Sequence, residues 1–252
     1  PRRLYVPIPL WFTRHSGNVL PIASLQFHTL QVAVGFVGLP SLIQVSDADV
    51  TVVNCNTGAP IAAGDIRAHL MITNVYLDMQ ERDAFSAGAF QQLIVQHQSY
   101  STSTREQTMR AQLNLNHPTL ELIWAFQRRC MQDANERFNY SGPGGTDIMR
   151  RAALRINNLP RFEADAKYLR QVQPWQHHSA IPRGFIYCYS FALQPESCMP
   201  SGSLNFSRVD NTEFMVEFDE KVAGEDISLL LFSRSFNVLK FRSGLSGLLY
   251  SS

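Results

Sequence analysis

Pro200-Ser201-Gly202 turns the chain sharply and is followed by a polar stretch with a period of two. Proline fixes φ at the first corner of such a turn, and glycine accepts the positive φ that follows. Ser203, Asn205, Ser207 and Val209 then alternate with Leu204, Phe206, Arg208 and Asp210, the pattern of a strand with two distinct faces. Ahead of the turn, residues 184–193 (GFIYCYSFAL) form an aromatic and β-branched run of strand length. Two strands meeting at an obligatory corner commit this part of the chain to sheet. The second strand is polar, so Asn205, Ser207, Arg208, Asp210 and Asn211 need partners wherever they are half-buried. The plainest reading is a polar edge strand with a solvated Arg208/Asp210 pair. Those two side chains share a face of a regular strand, where they are expected to pin neighbouring loops or a subunit contact.

The same texture recurs along the chain. Residues 4–14 (LYVPIPLWFTR), 19–36 (VLPIASLQFHTLQVAVGF) and 66–78 (IRAHLMITNVYLD) read as strands, the first entered irregularly because of Pro7 and Pro9. Residues 15–18 (HSGN) read as a turn, and 37–65 as a loop with a short strand at 50–54. Residues 80–84 (QERDA) are a polar break, and 85–97 suit a short helix or another strand. Residues 112–126 (QLNLNHPTLELIWAF) alternate around Leu113, Leu115, Leu120 and Leu122, with a bend at 116–118. The glycines of 141–145 mark a surface loop without the Lys-Ser/Thr of a phosphate-binding loop. Residues 147–156 suit a helix or a strand entry, and 161–176 a helix or long loop crossing the sheet. Residues 212–220 and 227–250 supply further strands around a turn at 221–224. The order strand, turn, polar-aromatic strand, loop, strand at 5–12, 25–34 and 66–78 returns at 185–193, 204–218 and 227–241, as a duplicated jelly roll would give. The chain opens in strand-like sequence at Pro-Arg-Arg-Leu rather than at Met, which reads as a fragment of a longer polypeptide.

A chain of 252 residues holds one large β domain or about two smaller ones. Charged residues are 17% of it, against ~25% on average, so much surface is expected to be buried against partners. Twenty-two basic and 21 acidic residues leave a net charge of +1 and no basic stripe, so nucleic-acid binding is not the primary reading. No apolar run reaches the ~18 residues that span a bilayer.

Catalysis needs a convergent set of groups, and the sequence offers none. No HxH or HExxH spacing exists among the histidines, and the adjacent His177 and His178 would point to opposite faces of a strand; both are expected to be solvated. Asp78, Glu81 and Asp83 sit with Arg82 in a charged turn. Cys55, Cys130, Cys188 and Cys198 form no CxxC and are expected to be buried or free thiols, Cys188 a packing residue between Tyr187 and Tyr189. Of the two sequons, Asn139-Tyr140-Ser141 precedes the glycine loop and Asn205-Phe206-Ser207 lies within the polar stretch. No enzyme activity, cofactor or metal is expected.

Several separated stretches resemble one family. PSG-x-x-NFSR-V-DN at 200–211 is similar to the C-terminal signature of the major capsid proteins of large eukaryotic (nucleocytoplasmic) double-stranded DNA viruses, with Val209 where most relatives carry Ile. YVPIPLWFTRHSGNVLPIASLQFH, VYLDMQER, NLNHP with LIWAF, QVQPWQ and FNVLKFRSGLSGLLYSS resemble the same family in its order. The resemblance implies an all-β double jelly roll, two eight-stranded antiparallel sandwiches. Residues 1–82 would be the closing part of the first roll, its opening strands lying outside this sequence, and residues 83–252 the whole second roll. Pro200, Ser201, Gly202, Asn205, Phe206, Ser207, Arg208, Asp210 and Asn211 would be structural signature residues. It further implies a homotrimer forming a pseudo-hexagonal capsomer of an icosahedral shell. Partners would be neighbouring capsomers and minor cement proteins, with an internal viral membrane nearby and no nucleic acid bound. Its place would be the virion, with assembly in the host cytoplasm. A poxvirus-type scaffold protein shares this architecture. The alternative is a carbohydrate-binding jelly-roll attachment module using Trp11, Trp124 or Trp175, although each lies in or beside an apolar run and is expected to pack in a core.

Overall fold

A computed structural model describes residues 4–35, 68–134 and 136–250. Two compact units are formed: one of Pro1–Pro9, Leu20–Phe90 and Phe241–Ser246, the other of Leu10–Val19, Gln91–Lys240 and Gly247–Ser252. The second holds nearly all of a β-sandwich. Its strands are β1 (Phe90–Thr104), β2 (Thr108–Gln112), β3 (Pro118–Arg128), β4 (Met149–Ile156), β5 (Leu159–Asp165), β6 (Ile186–Ser190), β7 (Leu204–Asn205), β8 (Thr212–Phe218), β9 (Ile227–Arg242) and β10 (Leu245–Leu248). One sheet runs β1-β9-β3-β6, with β7 beside β3 and β10 beside β9; the other runs β2-β8-β4-β5. With the short β7 and β10 set aside, the first long strand pairs with the last, the second with the seventh, the third with the sixth and the fourth with the fifth. That wrap is a jelly roll.

Alternation fills the space between the sheets. Trp124 stands opposite Leu231 on one side and Tyr187 on the other, and all three are fully buried. Facing them, the second sheet presents the row Ala111, Phe214, Leu154 and Phe162. The Trp124 indole meets Phe214 edge-on at 5.1 Å and lies nearly parallel to Tyr187 at 6.2 Å. Each such side chain contributes about 1.5–3 kcal/mol on burial, more for the indole. The β4–β5 hairpin turns through Asn157 and Asn158 at φ 49° and 66°, as a tight two-residue turn requires.

Several sequence expectations change. Residues 147–156 resolve as strand β4, and 85–97 contribute both a helix end and the start of β1. Residues 161–176 contain most of β5, then a π-helix at Tyr168–Val172 and α-helical Gln173–His177. The polar break at 80–84 lies in a helix, Met79–Ala87, because Asp78 accepts the Glu81 amide at 2.8 Å while Glu81 accepts that of Asp78, a capping box. The strands expected at 4–14, 19–36 and 66–78 do not form among the described residues, which hold only 3-10 turns at Trp11–Thr13, Ser16–Asn18 and Ile22–Ser24. Alternation supplies an apolar face, but a strand also needs a neighbour for its N–H and C=O groups, and no described strand pairs with these segments. Many of their apolar side chains stay exposed, Tyr76 at 91%, while Leu10, Trp11, Phe12, Leu20 and Leu25 are half-buried. The loop expected at 37–65, with its strand at 50–54 and Cys55, lies outside the described residues.

Candidate functional site: the signature stretch and the covered sheet face

The signature stretch is a clip. Gly202 has φ +134°, and a Cβ there would stand 3.1 Å from the Phe191 carbonyl oxygen, so both conformation and space demand glycine. Ser201 Oγ accepts the Gln194 amide at 2.9 Å, and its carbonyl accepts the Leu193 amide at 3.3 Å. Leu204 and Asn205 then pair with Thr119 and Pro118. The expected strand through 203–209 ends there and becomes a 3-10 turn, Phe206–Arg208. Pro118 has no N–H to continue the ladder, and Asn205 Oδ1 takes the Ser207 amide at 3.1 Å instead.

Phe206 drops into the core, edge-on to Phe191 at 5.7 Å. Its amide donates to the His117 carbonyl at 3.2 Å, and Ser207 Oγ accepts the His117 amide at 2.9 Å. The bend at His117, with φ 71°, is thereby held on both sides of its peptide plane. Further on, Asn211 exchanges two hydrogen bonds with Asn157 of the hairpin turn, at 2.8 and 3.1 Å, and accepts another from Gln112 Nε2. One stretch therefore fastens the entry to β3, the end of β2 and the β4–β5 turn. Pro200 is exposed at the corner. Arg208 and Asp210 are exposed and make no hydrogen bond or ion pair among the described residues. They do not share a strand face, because the backbone there is a 3-10 turn.

The sequence reading missed Glu121, the one carboxylate inside the apolar run LELIWAF. It points to the outer face of the sheet yet is 1% exposed. Its oxygens meet His178 Nε2 at 2.7 Å and Arg234 Nη1 at 3.1 Å. His177 and His178 are thus not the solvated pair that was expected: His177 Nδ1 also donates, to the Leu193 carbonyl at 2.9 Å. Gln173 accepts the Ser190 amide at 3.1 Å and Ser179 donates to Glu196 at 2.9 Å, so residues 173–179 form a strap tied over the ends of β3 and β6. Burial opposes ionisation of Glu121, but the hydrogen bonds and charges of His178 and Arg234 outweigh it and hold the carboxyl below its usual value. The hydrogen bond to Glu121 in turn lifts the His178 ring above its usual value, against burial. Cys188 is the packing thiol expected, pushed up to about 12 by burial. Trp124 is a core residue, but Trp175, on the strap, is 73% exposed and overturns its expected packing role. Among the described residues, no helix is long and apolar enough to cross a membrane.

The family described as large eukaryotic DNA virus major capsid protein matches residues 81–247, and that described as major capsid protein N-terminus matches residues 1–78. The chain belongs to this capsid protein family. It is 31% identical to the major capsid protein of Pyramimonas orientalis virus, over 100% of this chain and 62% of that protein. With the major capsid protein of Paramecium bursaria Chlorella virus 1 the identity is 28%, over 100% of this chain and 67% of that protein. The chain thus spans roughly two thirds of the length of these relatives. Among solved structures, the PBCV-1 virus capsid superposes with a TM-score of 0.63 at 25% identity, covering 70% of this chain and 55% of that one. The Faustovirus major capsid protein shares the fold at a TM-score of 0.58 and 12% identity, over 66% of this chain and 36% of that one. The family is structural rather than enzymatic, its members are virion components, and they build capsomers and shells with other capsid components.

Proposed function

We propose that this chain is the shell-forming part of a major capsid protein whose three copies make a pseudo-hexagonal capsomer of an icosahedral virus shell. The observation that carries the reading is the eight-strand wrap standing where the capsid family matches, at residues 81–247. Residues 1–82 belong to a first jelly roll and residues 83–252 to a second; the change of matched family between 78 and 81 supports that division. In the shell the capsomer meets neighbouring capsomers and minor cement proteins, over an internal membrane and without binding nucleic acid, after assembly in the host cytoplasm. The signature residues act inside the subunit as the clip described above. Arg208 and Asp210, charged, exposed and without a hydrogen bond or ion pair among the described residues, serve a contact with another subunit.

Light scattering on the full-length protein tests this. A stable particle of three subunit masses is expected, and a monomer at all concentrations overturns it. The attachment-module reading draws on the exposed Trp175, because a solvent-facing indole offers a stacking surface for a sugar ring. Binding of a monomeric protein to immobilised glycans, lost in Trp175→Ala, would favour that reading instead.

A further inference from the structure

The strap is held by ties of two kinds. Where it follows the π-helix Tyr168–Val172, Arg170 meets both oxygens of the Asp147 carboxylate, at 2.9 and 3.2 Å, and its guanidinium lies 4.8 Å over the Phe185 ring. Gln173, 4% exposed, then takes the Ser190 amide. An arginine stays charged and a side-chain amide carries no charge, so neither of these strap groups changes state near neutrality. The tie at the far end is different. His178 Nε2 meets Glu121 at 2.7 Å, with the two side chains 14% and 1% exposed. Arg234 on β9 meets the other Glu121 oxygen at 3.1 Å, so the carboxylate keeps a balancing charge from its own sheet when the imidazole is neutral. Loss of the His178 proton therefore takes a charge off the strap without stranding one in the sheet.

We propose that residues 175–179 are a pH-operated latch, closed onto the sheet by protonated His178 and released when its ring becomes neutral, while residues 168–173 stay in place. The neutral ring offers an uncharged hydrogen bond in place of a charge-assisted one, about half as strong. The groups that face the latch leave the switching to His178. From β1, His97 is held below its usual value by burial and then by Arg234, so it gives up its proton at lower pH than His178, which is held above its own. From β6, Cys188 stays a thiol, pushed up to about 12 by burial. Glu196, beyond β6, accepts the Ser179 amide at 2.9 Å and favours the charged ring. His177, on the strap itself, meets the neutral Leu193 carbonyl instead of a carboxylate.

The test is hydrogen–deuterium exchange of the full-length protein on either side of the histidine range, at about pH 5.5 and about pH 9, corrected for intrinsic exchange rates. Protection of residues 175–179 is expected to fall about tenfold across that interval, the difference between a charged and a neutral hydrogen bond, while residues 168–172 and the Ser190 amide keep theirs. His178→Gln, which retains a neutral donor, is expected to show the low protection at both pH values, and His177→Gln to respond as the wild type does. Equal protection of 175–179 in the wild type at both pH values overturns the latch, and so does loss from residues 168–172 together with 175–179. A response that survives in His178→Gln overturns the assignment to this histidine. The wild-type comparison stands by itself where that variant fails to fold. All the ties lie within one subunit, so the response is expected at every protein concentration; one that appears only in assembled protein overturns the proposal.

Discussion

Ser207 Oγ accepts the His117 amide at 2.9 Å, joining the signature stretch to the start of β3 across a separation of 90 residues. His117 is 4% exposed, while Ser207 is exposed, so the bond is part-buried. Ser207→Ala should destabilise the fold by about 0.5–1.5 kcal/mol, the net loss of one hydrogen bond. Chemical denaturation with an unchanged slope and a lowered midpoint is the expected result. An unchanged midpoint would show that the clip does not hold the bend.

Gly202→Ala should cost about 1–3 kcal/mol through backbone strain and crowding against the Phe191 carbonyl. Proteolysis should become faster between residues 193 and 204 before the rest of the sandwich opens, and cleavage mapped by mass spectrometry reads this directly.

Trp124→Ala removes the ring that touches both sheets and should cost about 3–5 kcal/mol. Loss of cooperative thermal unfolding at physiological temperature is the expected observation.

The Glu121 cluster predicts a pH profile. The His178 ring is held above its usual value in the fold, so its contribution is complete below 6.5 and fades as pH rises through the raised value. The Glu121 carboxyl is held below its usual value, so its contribution is present above 4.5 and fades as pH falls through the depressed one. The melting-temperature difference between wild type and His178→Gln should therefore be greatest between pH 4.5 and 6.5 and shrink on the alkaline side. A difference that widens with rising pH would contradict the assignment. Glu121→Ala, which strands Arg234 and His178 together, should cost about 3–5 kcal/mol.

Arg208→Ala and Asp210→Ala should change subunit stability by no more than about 0.5 kcal/mol, since both side chains are exposed and make no hydrogen bond or ion pair among the described residues. Their effect should instead appear in the salt dependence of assembly, measured by light scattering.

The second roll was legible because its strands announce themselves: 186–190, 212–218 and 227–242 alternate strongly, and each finds a partner in the same unit. The same alternation at 66–78 was not enough, because periodicity describes a face and says nothing of the neighbour that completes a ladder. Phe206 to Arg208 reads as strand in isolation; its departure into a 3-10 turn is decided by Pro118, far off in sequence. Glu121 carried a readable signal, a charge inside an apolar run, while its partners on residues 178 and 234 could be known only from the fold.

The wrap of the roll also sets an order of events. The β4–β5 hairpin closes over two residues, whereas β1 must wait for β9, which begins at Ile227. Loop-closure entropy and high contact order make that last pairing slow. During translation, β1 waits without its β9 partner until Ile227–Arg242 has left the ribosome. A product cut short before Ile227 never gains that strand, so the sheet that holds Trp124 stays split and its apolar rows stay open to water.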